Sequence, residues 1–112
     1  MVKRGELYWV DWGEGKGSEQ SGLRPALVIQ NDIGNDTSPN TIIASLTTAP
    51  NKIYPFLVVI TAKESGLKKN GAVDLASIMT ISKTRLGDKC GQLSKQKMNE
   101  VEIAIKISLG LS

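Results

Sequence analysis

Apolar residues fall along this chain in short runs cut by glycine, proline and charge, a spacing that suits strands better than long helices. The first run, Glu6-Leu7-Tyr8-Trp9-Val10-Asp11-Trp12, predicts a strand with apolar groups on both faces: Leu7 and Trp9 on one, Tyr8, Val10 and Trp12 on the other. Both faces therefore want cover, and a second subunit is one source of it. Three glycines within residues 13–17 predict a loop. A second strand is expected over residues 25–30, with Pro25 tolerated as its first residue. Residues 31–40 read as an irregular connection broken by Gly34 and Pro39. Over residues 41–48, Ile42, Ala44 and Leu46 alternate with Ile43, Ser45 and Thr47, which puts Thr47 on the more polar face. A loop at 50–55 leads to a buried fourth strand at 56–60 and a helical turn at 61–66 ended by glycine. One or two short strands follow at 71–81, then a second turn at 82–85. The clearest helix is terminal. Ser94 suits its N-cap, Met98, Val101 and Ile105 recur at helical spacing, and Ile103, Ile107 and Leu111 widen the stripe. That stripe is expected to pack on the body of the fold rather than on a membrane or a partner alone. The pattern predicts a mainly β protein with some α: five to seven short strands closed by a C-terminal helix, in one domain spanning residues 1–112.

Composition narrows the chemistry. At 112 residues, 40% hydrophobic and 22% charged, the chain suits one soluble globular core. Its net charge of +3 permits an anionic partner, nucleic acid or acidic protein, without requiring one. Histidine is absent and Cys90 is the only cysteine. This removes imidazole acid–base catalysis, histidine-dependent serine triads and any obvious zinc or iron ligand set, so no metal or other cofactor is expected. Without an internal disulfide, a secretory leader or an apolar run of membrane-spanning length, the expected compartment is the cytoplasm and no membrane partner is expected. Walker and dinucleotide motifs are also missing. Lys89 next to Cys90 could lower the thiol pKa, but with no histidine beside it the thiol reads as incidental.

The remaining chemistry gathers in GSEQSGLRP, residues 17–25, and at Thr47. Arg24 sits directly before a strand-initiating proline, so rigid backbone sets its position, and its planar fork of donors suits phosphate. Glu19 lies five residues earlier across Gly22, close enough for the loop to return it beside Arg24. Two readings stay open on spacing alone: an anion-handling site, or a solvated loop with a surface ion pair of little energetic weight.

The stretch Gly17-Ser18-Glu19-Gln20-Ser21-Gly22-Leu23-Arg24-Pro25, continuing through Ala26-Leu27-Val28-Ile29-Gln30-Asn31-Asp32, resembles the signature of the MazF/PemK family, the ribonuclease toxins of type II toxin–antitoxin pairs. The similarity runs from Lys3-Arg4-Gly5-Glu6 through Trp9-Val10-Asp11 to Thr47, Tyr54-Pro55-Phe56, Thr80-Ile81, Arg85-Leu86 and the terminal helix, essentially the whole chain. The resemblance implies a small SH3-like barrel that forms a homodimer. It also implies sequence-specific, metal-independent cleavage of single-stranded RNA, often messenger RNA. The ribose 2′-hydroxyl would be the nucleophile, leaving a 2′,3′-cyclic phosphate and a 5′-hydroxyl. That chemistry suits a chain without histidine, because the substrate brings its own nucleophile, and it selects RNA over DNA.

By the same resemblance Arg24, Thr47 and Glu19 are the catalytic candidates. Arg24 would stabilise the phosphorane; it is a poor proton donor at a pKa above about 12. Thr47 would hydrogen-bond a phosphate oxygen, and Glu19 would take the 2′-proton or simply hold Arg24 in place. Lys16, Ser18, Gln20 and Ser77 make up the candidate substrate-binding set, Ser18 and Gln20 serving equally well as loop caps. Where many relatives carry acidic, amide and basic groups before Thr-Ile, this chain reads Ala76-Ser77-Ile78-Met79-Thr80-Ile81, which implies a changed base preference and no catalytic acid there. The implied partners are a cognate acidic antitoxin and, only as the toxin–antitoxin complex, operator DNA. The competing readings are a noncatalytic barrel that binds nucleic acid or an antitoxin peptide, and a degenerate toxin that keeps only antitoxin binding and operator-level regulation.

Overall fold

A computed structural model describes residues 1–12 and 22–111. In chain order these form β1 (Glu6–Asp11), β2 (Leu23–Val28), α1 (Asp32–Thr37), β3 (Asn40–Thr48), β4 (Leu57–Ile60), α2 (Ala62–Ser65), β5 (Gly71–Ser82), β6 (Leu86–Gln92) and α3 (Lys95–Leu109). A 3-10 turn at Lys83–Arg85 joins β5 to β6. The strands pair antiparallel in one sheet of order β4-β5-β3-β2-β1-β6.

Strand alternation splits the apolar residues between two cores. Leu7 joins Leu27, Leu46, Val73 and, from α3, Met98 and Val101 in the larger core. Val10 joins Val28, Ile43 and Ile81 in the smaller, with Tyr8 and Trp12 packed against it. The two apolar faces expected of the first strand are therefore both covered from within the chain.

Several elements differ from the sequence expectation. β2 begins at Leu23, so Pro25 is its third residue, opposite Trp9 of β1. The supposedly irregular connection holds α1. Asn31 caps it by accepting from the Gly34 N–H at 2.8 Å, and the buried Asn35 amide donates to the Gln30 carbonyl and accepts from Thr41 Oγ1. Residues 71–82 form one long strand in which Leu75, Ala76 and Ser77 bulge out between the Ala44–Ile78 and Ser45–Asp74 pairs. The fourth strand is buried on one side only: Val58 and Ile60 point inward while Val59 is exposed. β6 carries two glycines and two charges and shows no apolar alternation; its pairing with β1 makes it a strand. On α3 the buried face is Met98, Val101 and Ala104 with Ile105 alongside, whereas Ile103 is 60% exposed and Ile107 and Leu111 are also outside. At about 100° per residue, Ile103 lies roughly 200° round the helix from Val101, so it cannot widen the same stripe.

The two sheet edges, β4 and β6, do not pair with each other among the described residues. The sheet is thus open where a closed barrel was expected, and α2 lies across the gap. Thr61 and Glu64 form a capping box at its start, and Gly66 ends it in the left-handed conformation at φ +76°. Gly66 lies against the Cys90 carbonyl, and Gly91 against the Ser65 carbonyl, so closely that a Cβ on either glycine would overlap backbone. Two bare backbones in contact thus bridge the gap between the edges.

At the N-terminus, the 7%-exposed Glu6 accepts from Lys3 N at 2.7 Å and Tyr8 Oη at 2.9 Å, and pairs with Lys89 Nζ at 2.7 Å. Burial pushes its carboxyl up, but the bonds from Lys89, Tyr8 and Lys3 outweigh that and hold it below its ordinary value. Because the folded-state pKa is depressed, this stabilisation is complete above the unfolded carboxylate pKa and fades as pH falls through the folded one. Burial and the Glu6 carboxylate push Tyr8 up to about 12. Glu6→Gln should cost about 2 kcal/mol in urea unfolding at pH 7, with the gap to the parent protein shrinking by pH 3. An equal gap at both pH values would show that the carboxylate charge plays no part.

Candidate active site

The Ala26–Ser45 pair is the last rung between β2 and β3 on this side. One residue further out stands Pro25, which has no N–H to continue the ladder. Two residues further out on each strand stand Arg24 and Thr47, on the same face as Ala26 and Ser45. Each is held from its other side: Arg24 pairs with Val10 of β1, and Thr47 with Ala72 of β5. Both sequence-predicted residues are half-buried and line one cavity of about 580 Å³ at the point where their strands part.

A further wall comes from residues 65–71, which run from the last residue of α2 to the first of β5. Gly71 sits so near β3 that a Cβ there would lie 2.7 Å from the Thr47 carbonyl, which keeps that wall close. Trp9, Pro25, Leu46, Ile60 and Leu67 supply apolar lining, while Lys68, Lys69 and Asn70 supply polar lining. Among the described lining residues the charged groups are Arg24, Lys68 and Lys69, and none is a carboxylate. Asn70 is itself engaged, its Oδ1 accepting from Ala62 N at 2.8 Å.

Arg24 Nε is shielded from solvent and has no hydrogen-bond partner among the described residues, and Trp12 Nε1 shares that state. Trp12 follows Val10 by two residues and so lies on the Arg24 face, at the same end of the sheet. Leaving a buried donor unpaired costs about 1–3 kcal/mol, more for a charged group. A folded chain that leaves a guanidinium donor uncommitted in a cavity wall holds it available to an anion.

The remaining candidates are distributed as follows. Lys16, Ser18, Glu19 and Gln20 lie outside the described residues. Ser77 does not line the cavity. It sits in the β5 bulge, where its Oγ donates to Asp74 Oδ2 at 3.0 Å while Ala76 N donates to Asp74 Oδ1. The structure agrees with the reading of Cys90 as an incidental thiol. Alternation puts Lys89 on the Glu6 side, 2.7 Å from that carboxylate, and burial against the larger core pushes the thiol pKa up. Sequence reasoning missed Lys68 and Lys69. Their adjacency was legible, but nothing in the sequence links residue 69 to residue 24 before the sheet is assembled. No group of three His, Cys, Asp or Glu residues among those described is placed to hold a metal ion. No described helix is long and apolar enough to cross a membrane.

Fold and site together define a small antiparallel β protein with a cationic cavity at an opened strand junction. Residues 3–109 match the family model for the PemK-like, MazF-like toxins of type II toxin–antitoxin systems, and the chain belongs to that family. It is 46% identical over 112 residues to Endoribonuclease EndoA of Bacillus subtilis (strain 168), covering 99% of this chain and 97% of the relative. Among solved structures, an endoribonuclease in complex with its cognate antitoxin from Mycobacterial species superposes with a TM-score of 0.83 at 28% identity, over 100% of this chain and 98% of that one. MazF from Deinococcus radiodurans shares the fold, with a TM-score of 0.79 at 23% identity over 98% and 97% of the two chains.

Because no described residue pairs with the Nε of Arg24, Arg24→Met, which keeps the stem and removes the donors, should leave stability within about 1 kcal/mol of the parent or raise it. Urea unfolding reads this, and a loss beyond about 2 kcal/mol would mark Arg24 as a structural residue.

Proposed function

We propose that this chain is the toxin of a type II toxin–antitoxin pair and acts as a metal-independent endoribonuclease on single-stranded RNA, messenger RNA included. The observation that carries the reading is a cavity-wall arginine beside a threonine, with an Nε that no described residue engages and no carboxylate among the described lining residues. The likeness to EndoA supports it.

In this reading the 2′-hydroxyl attacks the adjacent phosphorus, so the 2′-O–P bond forms and the P–O5′ bond breaks. The 2′-proton leaves to a base and the 5′-oxygen gains one, giving a 2′,3′-cyclic phosphate and a 5′-hydroxyl. Charge grows on the non-bridging oxygens as the phosphorane forms, and the fixed guanidinium of Arg24 acts there. Strand pairing holds Arg24 and Thr47 before substrate arrives, so the protein does not reorganise at the moment of reaction. The Thr47 hydroxyl donates to one of the same oxygens. Glu19 takes the base role or supports Arg24, as the family resemblance implies.

As one domain over residues 1–112, the chain works as a homodimer in the cytoplasm, is inhibited by a cognate acidic antitoxin, and meets operator DNA only as the toxin–antitoxin complex. The complexed mycobacterial relative supports the antitoxin assignment.

The test is cleavage of a long single-stranded RNA in EDTA, alongside its all-2′-deoxy counterpart. RNA should be cut to ends bearing cyclic phosphate and 5′-hydroxyl, with the deoxy strand intact and Arg24→Met lowering kcat/KM by about 10²–10³-fold or more. Intact RNA after prolonged incubation would favour the noncatalytic barrel instead. Equal cleavage of the deoxy strand would overturn the mechanism.

A further inference from the structure

The cavity holds more positive charge than one reacting phosphate needs. Lys68 and Lys69 follow the glycine that ends α2, line the same cavity as Arg24 and are exposed. Neither forms a salt bridge among the described residues, whereas Lys3, Arg4, Lys89 and Lys97 all pair with carboxylates. The acid closest to them in sequence, Glu64, is engaged elsewhere: it accepts from Thr61 N at 3.0 Å and lies 3.7 Å from Lys97 Nζ. The short segment that carries the two lysines is anchored at both ends. Gly66 abuts the Cys90 carbonyl, and Gly71 begins β5 against Thr47. A lysine pair without an acidic partner among the described residues, on an anchored segment lining the same cavity of about 580 Å³ as Arg24, is arranged for a second phosphate of the same strand.

We infer that Lys68 and Lys69 bind the RNA backbone at a phosphate flanking the cleaved linkage. They hold the strand in the cavity without reading its bases and without joining the chemical step. This subsite rests on the ribonuclease reading above and assigns a further wall of the cavity that Arg24 lines. Lysine suits the task as a strongly hydrated point charge on a long stem, which tracks a phosphate without imposing bidentate geometry. Binding of this kind is sequence-independent and releases counterions, so it is read in salt dependence.

The experiment compares the parent protein with Lys68→Ala/Lys69→Ala and Lys68→Arg/Lys69→Arg. Binding of labelled all-2′-deoxy oligonucleotides of two unrelated sequences is measured by anisotropy across a salt series. Cleavage of the matching RNA gives kcat and KM. The double alanine variant should bind both oligonucleotides about tenfold more weakly and flatten the slope of log affinity against log salt by about 0.7–1.4. KM should rise by a similar factor while kcat changes less than about twofold, and the arginine variant should restore both slope and KM. An unchanged slope and KM in the alanine variant would overturn the clamp while leaving the ribonuclease reading intact, and so would a loss confined to kcat. A lysine-dependent slope in a protein that never cleaves RNA would uphold the clamp as a binding site and overturn the ribonuclease reading alone. Failure of the parent to bind either oligonucleotide would overturn the clamp, and failure to cleave the matching RNA as well would overturn both.

Discussion

The site depends on a hydrogen bond that cannot form. β2 has β1 along one side over its whole described pairing, Leu23 to Leu27, but meets β3 only from Ala26 to Val28. Pro25 stands at the break with no N–H to offer. β3 continues alone toward Thr48, pairing with β5 on its far side. Around the strand ends the sheet opens, and residues of both faces reach one cavity: Pro25 and Leu46 from one, Arg24 and Thr47 from the other. A sheet paired through this point would fill the space with ladder. The restriction on one imino acid makes room for a ligand beside rigid backbone.

Charge placement sharpens the arrangement. The net +3 is small, and the described ion pairs neutralise several cations on the far surfaces. These exposed pairs contribute little to stability, about 0–1 kcal/mol each. Their larger effect is on the field, since among the described residues the cations left without an acidic partner include all three charged residues of the cavity lining. A modest overall charge thereby becomes a local positive potential where a polyanion would enter. Glu6 is the exception among the pairs: buried and accepting from three donors, it pins the N-terminal segment to β6.

Much of this was legible in the sequence. The aromatic and branched run of β1, the alternation of β3, the Thr61 turn ended by Gly66 and the Ser94 cap each rest on local chemistry that tertiary structure did not override. Arg24 and Thr47 were legible through the family signature, and register explains why two residues so far apart in the chain serve one cavity. What escaped was non-local. α1 needs the Asn35 network with Thr41 and Gln30, and Gly34 conceals it in the sequence. β6 has no hydrophobic alternation of its own and is a strand because β1 offers it a partner. The exposed isoleucines of α3 show that apolar identity without angular position says little about burial.

The glycine contact between the end of α2 and β6 separates two kinds of freedom. Gly66 and Gly91 fix where the backbone of the following segment runs, through contacts that involve no side chain at all. The side chains of Lys68 and Lys69 stand outside that constraint and are open to replacement without moving the wall that carries them. Variation in how this cavity grips its ligand is therefore cheap at those two lysines and costly at the two bare glycines. One of the latter lies on the far edge strand, more than sixty residues along the chain from Arg24.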